Sequence, residues 1–275
     1  MRKLLILAAA LLLAIVVVAP VLWLVILSVS STTDIYTVPL RWFPAHLDFS
    51  RYGRLLAPDQ SGHTSPFLLA LRNSLIVGGL GTFVALVISA LAAWHFSRVH
   101  RSERFLHAMV GTYMLPQTVM ALPLYVMLSA CGLLNHPGGL ILAYLGFLVP
   151  FTTWLLKTGF DQVPRELDDA ARVDGLGPLG TLIRIAVPLA RASIATTALF
   201  ALLMAWDEFF YALLFTSNAD AKTVTVAIVD FTSGRVSDYG LVAAAGVVAG
   251  APPIVIGFLL QRHLISGLLA GGVKG

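Results

Sequence analysis

Charge is what this sequence has least of. Only 12% of its 275 residues are Asp, Glu, Lys or Arg, against about 25% in an ordinary soluble domain. A chain so poor in charge cannot cover a water-facing surface, so most of it must face lipid or protein. Cysteine is almost absent too: Cys131 stands alone, which excludes an internal disulfide and any cysteine-based metal cluster. No G-x-x-x-x-G-K-[ST] run occurs, so the chain has no phosphate-cradling loop and is not expected to hydrolyse ATP. The seven histidines show no H-E-x-x-H spacing and there is no G-x-S-x-G, which removes a zinc hydrolase and a serine hydrolase of those kinds. The net charge of +4 is not gathered into a basic patch interleaved with aromatics, so no nucleic-acid partner is expected. Nor is there an internal repeat of the kind many secondary transporters carry.

What is abundant is apolar sequence: 58% of residues are hydrophobic and the mean hydropathy is +0.86. A bilayer core takes about 20 apolar residues in helical form. Six runs approach that length: Leu4–Leu27, Leu75–Trp94, Phe105–Cys131, Leu140–Leu156, Ala192–Phe215 and Leu241–Leu260. The expectation is an all-α membrane protein, a single domain of six transmembrane helices with both termini on one side. The first run follows Arg2 and Lys3 as a signal peptide would, but its apolar part is far longer than the usual h-region of about 7–15 residues. It is read as a retained first helix.

Lys and Arg decide the orientation. The N-terminus, the 97–104 loop, the 157–191 loop and the C-terminal tail 261–275 hold most of them, including Arg98, Lys157, Arg165, Arg172, Arg184 and Arg191. The opposite side holds Arg41, Arg51, Arg54, Arg72, Lys222 and Arg235, mostly in the long 28–72 segment, which counts weakly. Both termini are therefore expected in the cytoplasm. The outer segment 28–72, rich in aromatics and turn formers, is expected to fold as a small cap. In the 216–240 loop, Val224–Val229 is too short to span and suits an interfacial or re-entrant element.

The densest cluster of acids lies in "PRELDDAARVDGLGPLGTLIRIAVP", from Pro164 to Pro188. Pro164 suits a first helical turn. Glu166, Asp168 and Asp169 fall where the helix dipole favours negative charge. Asp168 and Arg172 are spaced as an i,i+4 pair. Leu167, Ala170 and Ala171 share a face. Asp174-Gly175 reads as a helix stop, and after Gly177-Pro178 the residues Leu179, Leu182, Ile183 and Ala186 resume a helical apolar stripe. This predicts helix, sharp glycine turn, helix on the cytoplasmic face, the two alanines leaving room for another surface.

A second feature is "AWDEFFYALLF", Ala205–Phe215, which sets Asp207 and Glu208 inside the fifth apolar run. Charges in a span cost about 2.5–3.5 kcal/mol each on insertion scales and usually face a wet cavity or a partner. With Trp206, Phe210 and Tyr211 beside them, they suit a polyhydroxylated solute, carboxylates accepting hydroxyl hydrogen bonds and rings packing on C–H faces. Bonding to backbone or to another subunit is the plainer reading. An intramembrane hydrolase built on this pair is poorly served, because neighbouring helical residues point about 100° apart. A stand-alone secondary transporter or channel using Asp207 and Glu208 is the alternative function, and it leaves the acidic loop unexplained.

The loop resembles the cytoplasmic signature of permease subunits of bacterial ABC importers: Glu-Ala-Ala, three residues, Gly, nine residues, Ile-x-Leu-Pro. Here it stands as Asp169-Ala170-Ala171, Gly175 and Ile185-Ala186-Val187-Pro188, with Asp for Glu and Val for Leu. "RNSLIVGG", "LAAWHFSR", "LPLYVMLSACGLLN" and the ending "GLLAGGVKG" look like the smaller permease subunit of the maltose-type, carbohydrate-importing class. The resemblance implies a heteromeric importer with a second permease subunit, two ATP-binding subunits that hold ATP and Mg, and an extracytoplasmic solute-binding protein, in a prokaryotic inner membrane. It implies that no cofactor is bound by this chain. It also implies that the loop docks on the ATPase, with Glu166 and Asp169 as acidic contacts, Ala170 and Ala171 for close approach and Asp174-Gly175 at the turn, and that the C-terminal tail can reach the ATPase dimer.

Overall fold

The structure, a computed structural model, describes residues 2–39, 41–58, 64–99, 103–232 and 238–272, with side chains as far as Gln261. Among these there is helix, turn and loop but no strand. In chain order the helices are α1 (Arg2–Val29), α2 (Thr32–Tyr36), α3 (Ser50–Leu56), α4 (Pro66–Arg98), α5 (Glu103–Tyr113), α6 (Gln117–Ala130), α7 (Pro137–Phe160) and α8 (Glu166–Val173). They continue as α9 (Pro178–Leu189), α10 (Arg191–Trp206), α11 (Phe210–Phe215), α12 (Val224–Asp230) and α13 (Tyr239–Gly272). The side chains of the expected C-terminal tail, and its last three residues altogether, lie outside the described residues.

Among the described residues four helices, α1, α4, α7 and the Tyr239–Gln261 part of α13, are long and apolar enough to cross a membrane, and two bent pairs bring the total to as many as six. Both bent pairs depart from the expectation of six continuous spanning helices. The Phe105–Cys131 run is not one helix: α5 and α6 meet at 92° across Met114–Pro116. Pro116 is the cause, since it offers no N–H and drives the residue before it out of helical geometry. The Ala192–Phe215 run likewise breaks at Asp207–Phe209, and its start turns by 84° from α9.

Contacts divide the chain into two compact units, Met1–Leu71 with Val224–Pro252, and Arg72–Thr223 with Pro253–Gly275. In the first, the expected cap is tied together by Arg51, only 1% exposed. A buried guanidinium must have its donors met. Its Nε donates to Asp238 at 3.1 Å, Nη2 to Thr32 at 3.2 Å and Nη1 to the Ser30 carbonyl. Gly240 leaves room for it, because a Cβ there would run into the guanidinium. Val224–Val229 is part of α12, with Val224, Val226 and Ala227 turned into this unit's core.

In the second unit α7 packs against α5 and α10. Gly159 lets α7 meet Ser193 of α10 where a Cβ would clash with that side chain, the small-residue device by which helices approach in lipid. At the end of α4 a core forms from Ala93, Trp94, Leu156, Phe160, Leu182 and Ala186. The expected second amphipathic helix of the loop is α9, with one modification. Pro188 excludes the carbonyl four residues back, and the turn before it widens to a π-helix over Leu182–Ala186, closed by the Val187 N–H on the Leu182 carbonyl.

Candidate functional site

Polar groups gather at two places in the second unit, the α8–α9 loop and the breaks in the apolar runs. At the first, α8 begins with Glu166, Asp168 and Asp169 in its first turn and ends as its sequence requires. Gly175 takes φ +80°, its N–H bonds the Arg172 carbonyl at 3.0 Å, and the Leu176 N–H bonds the Ala171 carbonyl at 2.8 Å. That is a Schellman closure.

The expected Asp168–Arg172 pair does not form. Asp168 is taken by Arg98 at the end of α4, Nε to Oδ2 at 2.5 Å, with both side chains about 15% exposed. Arg172 turns instead to Asp169 at 3.3 Å, where both groups are open to solvent and the pair is worth little. Arg98 also donates to the carbonyls of Phe160 at 3.3 Å and Val163 at 3.1 Å. Its guanidinium carbon sits 4.1 Å from the centre of the Trp94 ring. Arg165 adds a bond to the Ser97 carbonyl at 3.2 Å. One arginine thus fastens α8 to α4 and to the end of α7. A cavity of ≈ 400 Å³ lies beside it, between Trp94, His95 and Leu179.

This latch divides the alanine pair. Ala171 lies three residues beyond Asp168, hence on the same helix face, and is 1% exposed. It packs within its own chain, which corrects its expected role in approaching a partner. Ala170 is exposed, and at i, i+3, i+4 and i+7 the residues Glu166, Asp169, Ala170 and Val173 form one outward stripe. Val173, 88% exposed, is the apolar member that inspection of the sequence passed over. Asp174 is the C-cap residue, its N–H bonded to the Ala170 carbonyl at 3.0 Å.

At the second place, Glu208 is neither a cavity residue nor a free acid. It is 6% exposed, and its two carboxylate oxygens accept from the N–H of Tyr211 at 2.7 Å and of Ala212 at 3.1 Å. It thereby restarts the helix after the break, meeting donors that would otherwise be orphaned. Asp207 closes α10 with its N–H on the Leu203 carbonyl at 2.9 Å, and its side chain is exposed. Trp206 is buried and Phe210 half-buried. Of the five residues expected on the path, only Tyr211 lines the cavity found here, of ≈ 450 Å³. The other walls come from the first break, with Tyr113 and Gln117, and from Gly146 and Phe147 of α7. The Tyr211 hydroxyl donates to the Gln117 carbonyl at 3.3 Å, tying the two breaks together. No group of three or more metal-ligating side chains occurs among the described residues.

Residues 85–269 match the family described as binding-protein-dependent transport system inner membrane component. The chain belongs to that family. It is 33% identical to the trehalose/maltose transport system permease protein MalG of Thermococcus litoralis, over 100% of this chain and 98% of that protein. The sulfoquinovosyl glycerol transport system permease protein SmoH of Agrobacterium fabrum is 32% identical, covering 93% and 88% of the two chains. The trehalose transport system permease protein SugB of Mycobacterium tuberculosis is also 32% identical, covering 93% and 92%. The fold matches a chain of a bacterial ABC transporter involved in the import of the acidic polysaccharide alginate, with TM-score 0.79 at 22% identity over 95% of this chain and 96% of that one. The chain is thus a multi-pass membrane permease component, not a catalytic subunit.

Proposed function

We propose that this chain forms half of the translocation path of an ATP-driven importer for a sugar or related polyhydroxylated solute. A second permease subunit supplies the other half and a solute-binding protein outside the cytoplasmic membrane delivers the cargo. Two separate subunits bind ATP and Mg and hydrolyse the nucleotide, while this chain binds no cofactor of its own. Relatives named for trehalose, maltose and sulfoquinovosyl glycerol transport support the solute class. Both termini and the α8–α9 loop then lie in the cytoplasm, as the distribution of Lys and Arg requires.

The observation that carries the reading is the latched helix α8. Its outward stripe of Glu166, Asp169, Ala170 and Val173 offers two carboxylates, a gap for close approach and an apolar knob to an ATPase subunit. Its inward face is fixed to α4 by Arg98 and Asp168. Closure of the ATPase subunits would move α8, and Arg98 would hand that movement to a spanning helix rather than let the loop flex. The stand-alone transporter reading rests on two intramembrane acids, and Glu208 is committed to the backbone, which leaves it Asp207 alone.

The test is purification from the native host in detergent, followed by an ATPase assay on what accompanies the chain. An ATP-binding subunit should co-purify and be lost when Ala170 is changed to Glu. A chain that purifies alone and moves solute down an ion gradient would end this reading.

A further inference from the structure

The cavity at the span breaks has a composition more specific than a general path requires. Among the described residues, no carboxylate, amine, guanidinium or imidazole lines it. Two acids lie three residues from a wall residue: Glu208 points both oxygens at backbone N–H groups, and Asp207 is exposed but is not among the lining residues. An ion would therefore find no counter-charge there, and burial without one is costly. The walls carry aromatic faces instead. Phe147 and Tyr211 lie 6.4 Å apart and tilted by 37°, with Tyr113 on the same cavity.

Two further details point to a ligand. The Gln117 side chain is exposed and its amide makes no hydrogen bond among the described residues, leaving two donors and an acceptor for something else. Gly146 sits mid-helix in α7, where glycine costs about 0.5–1 kcal/mol relative to alanine. A Cβ there would meet nothing within 4 Å. Packing in its own chain therefore does not demand glycine, and a larger side chain there would take up cavity space. The volume of ≈ 450 Å³ falls within the range of about 300–1,000 Å³ typical of small-molecule sites.

We propose that this cavity is a subsite for an uncharged sugar unit, with Gln117 making the directional contact, Phe147 and Tyr211 packing on C–H faces, and Gly146 setting the size limit. The proposal rests on the transport function above. Neutral hydroxyls can exchange hydrogen bonds with the Gln117 amide beside the two breaks, the places where non-helical backbone is tolerated at membrane depth because it lines a cavity.

The test uses the whole importer with its binding protein in proteoliposomes, and radiolabelled trehalose and maltose as probes. Gly146→Leu should lower the maximal uptake rate at least about tenfold by filling the cavity. The partner permease and the ATP-binding subunits should still co-purify with this variant, because the latch at α8 is untouched. Gly146→Ala should retain more than about half of the uptake, and Gln117→Leu should lower the maximal rate without altering assembly. Undiminished uptake by Gly146→Leu would place the cavity off the path. Loss of the partner permease from that variant would show that the partner fills it. Either result overturns the subsite while leaving the transport function standing. A wild-type importer that prefers a charged solute to both sugars would overturn the neutral specificity. One that moves no solute in response to ATP would overturn the transport function itself.

Discussion

Replacing Arg98 by Ala removes the ion pair that joins α8 to α4 and leaves the Arg165 bond to the Ser97 carbonyl in place. The loss has three parts: the ion pair to Asp168, two hydrogen bonds to the carbonyls of Phe160 and Val163, and the contact with the Trp94 ring. Removing one member of a fully buried pair costs about 3–5 kcal/mol, because the survivor is left charged and dry. Asp168 keeps 14% of its side chain in contact with solvent, so water relieves part of that cost. A net loss of about 2–3 kcal/mol in the docking of α8 is expected once that relief is allowed for. That corresponds to about a 30–150-fold rise in the undocked population. Hydrogen exchange in the detergent-purified assembly would show it as a fall in protection of the Glu166–Val173 amides by that factor, with the middle of α7 unchanged. Arg98→Ala combined with Asp168→Ala should recover part of the loss, since no orphan carboxylate remains. Arg98→Lys should fall between, having the charge without the fork. A change in α8 protection below about threefold in Arg98→Ala would refute the latch.

Gly175→Pro should insert and assemble in the membrane yet abolish ATP-driven uptake in vesicles. Proline holds φ near about −65°, whereas Gly175 stands at +80° with its N–H on the Arg172 carbonyl. Glu208→Ala should orphan the Tyr211 and Ala212 N–H groups at a cost of about 1–3 kcal/mol, read as a lowered thermal midpoint in detergent. Glu208→Gln, which keeps one acceptor, should lose less, and an Ala variant as stable as wild type would exclude the capping role. Burial would raise the Asp238 carboxyl, but the Arg54 hydrogen bond, the Leu241 N–H and the Arg51 and Arg54 charges outweigh it and hold the group below the usual carboxylate range. Its contribution to the first unit is thus complete above its ordinary value of 3.8 and is lost as pH falls through the lower folded value. Exchange protection around Arg51 and Leu241 should fall in that acid window, and the pH dependence should be weaker in Asp238→Asn.

The amino-acid sequence by itself determined the solvent, the helical class and the architecture of the loop. Composition and run length dictate lipid-facing helices, since nothing else satisfies the backbone in hydrocarbon. The Asp174-Gly175 stop and the first-turn acids of α8 are local chemistry, so they could be read from neighbouring letters. Run length could not show the breaks: Met114–Pro116 and Asp207–Phe209 both sit in stretches apolar enough to look continuous. Whether a proline bends or interrupts a helix depends on what can meet the freed backbone groups.

Tertiary structure alone decided the partners. Asp168 has a suitable cation four residues away, yet Arg98, seventy positions distant, takes it because α4 ends where α8 begins to pack. That choice sends Ala171 inward and leaves Ala170 and Val173 outside. Glu208 looked like a solute ligand because a charge in an apolar run is conspicuous, while the donors that consume it exist only once the helix has broken. Gln117 and Gly146 carry no such mark in sequence, twenty-nine positions apart and chemically ordinary. They become a site only when α6 and α7 bring them to one wall. Periodicity and composition report each residue's solvent and local conformation, whereas ion pairs and cavities are fixed by the long-range packing that assigns each group its neighbour.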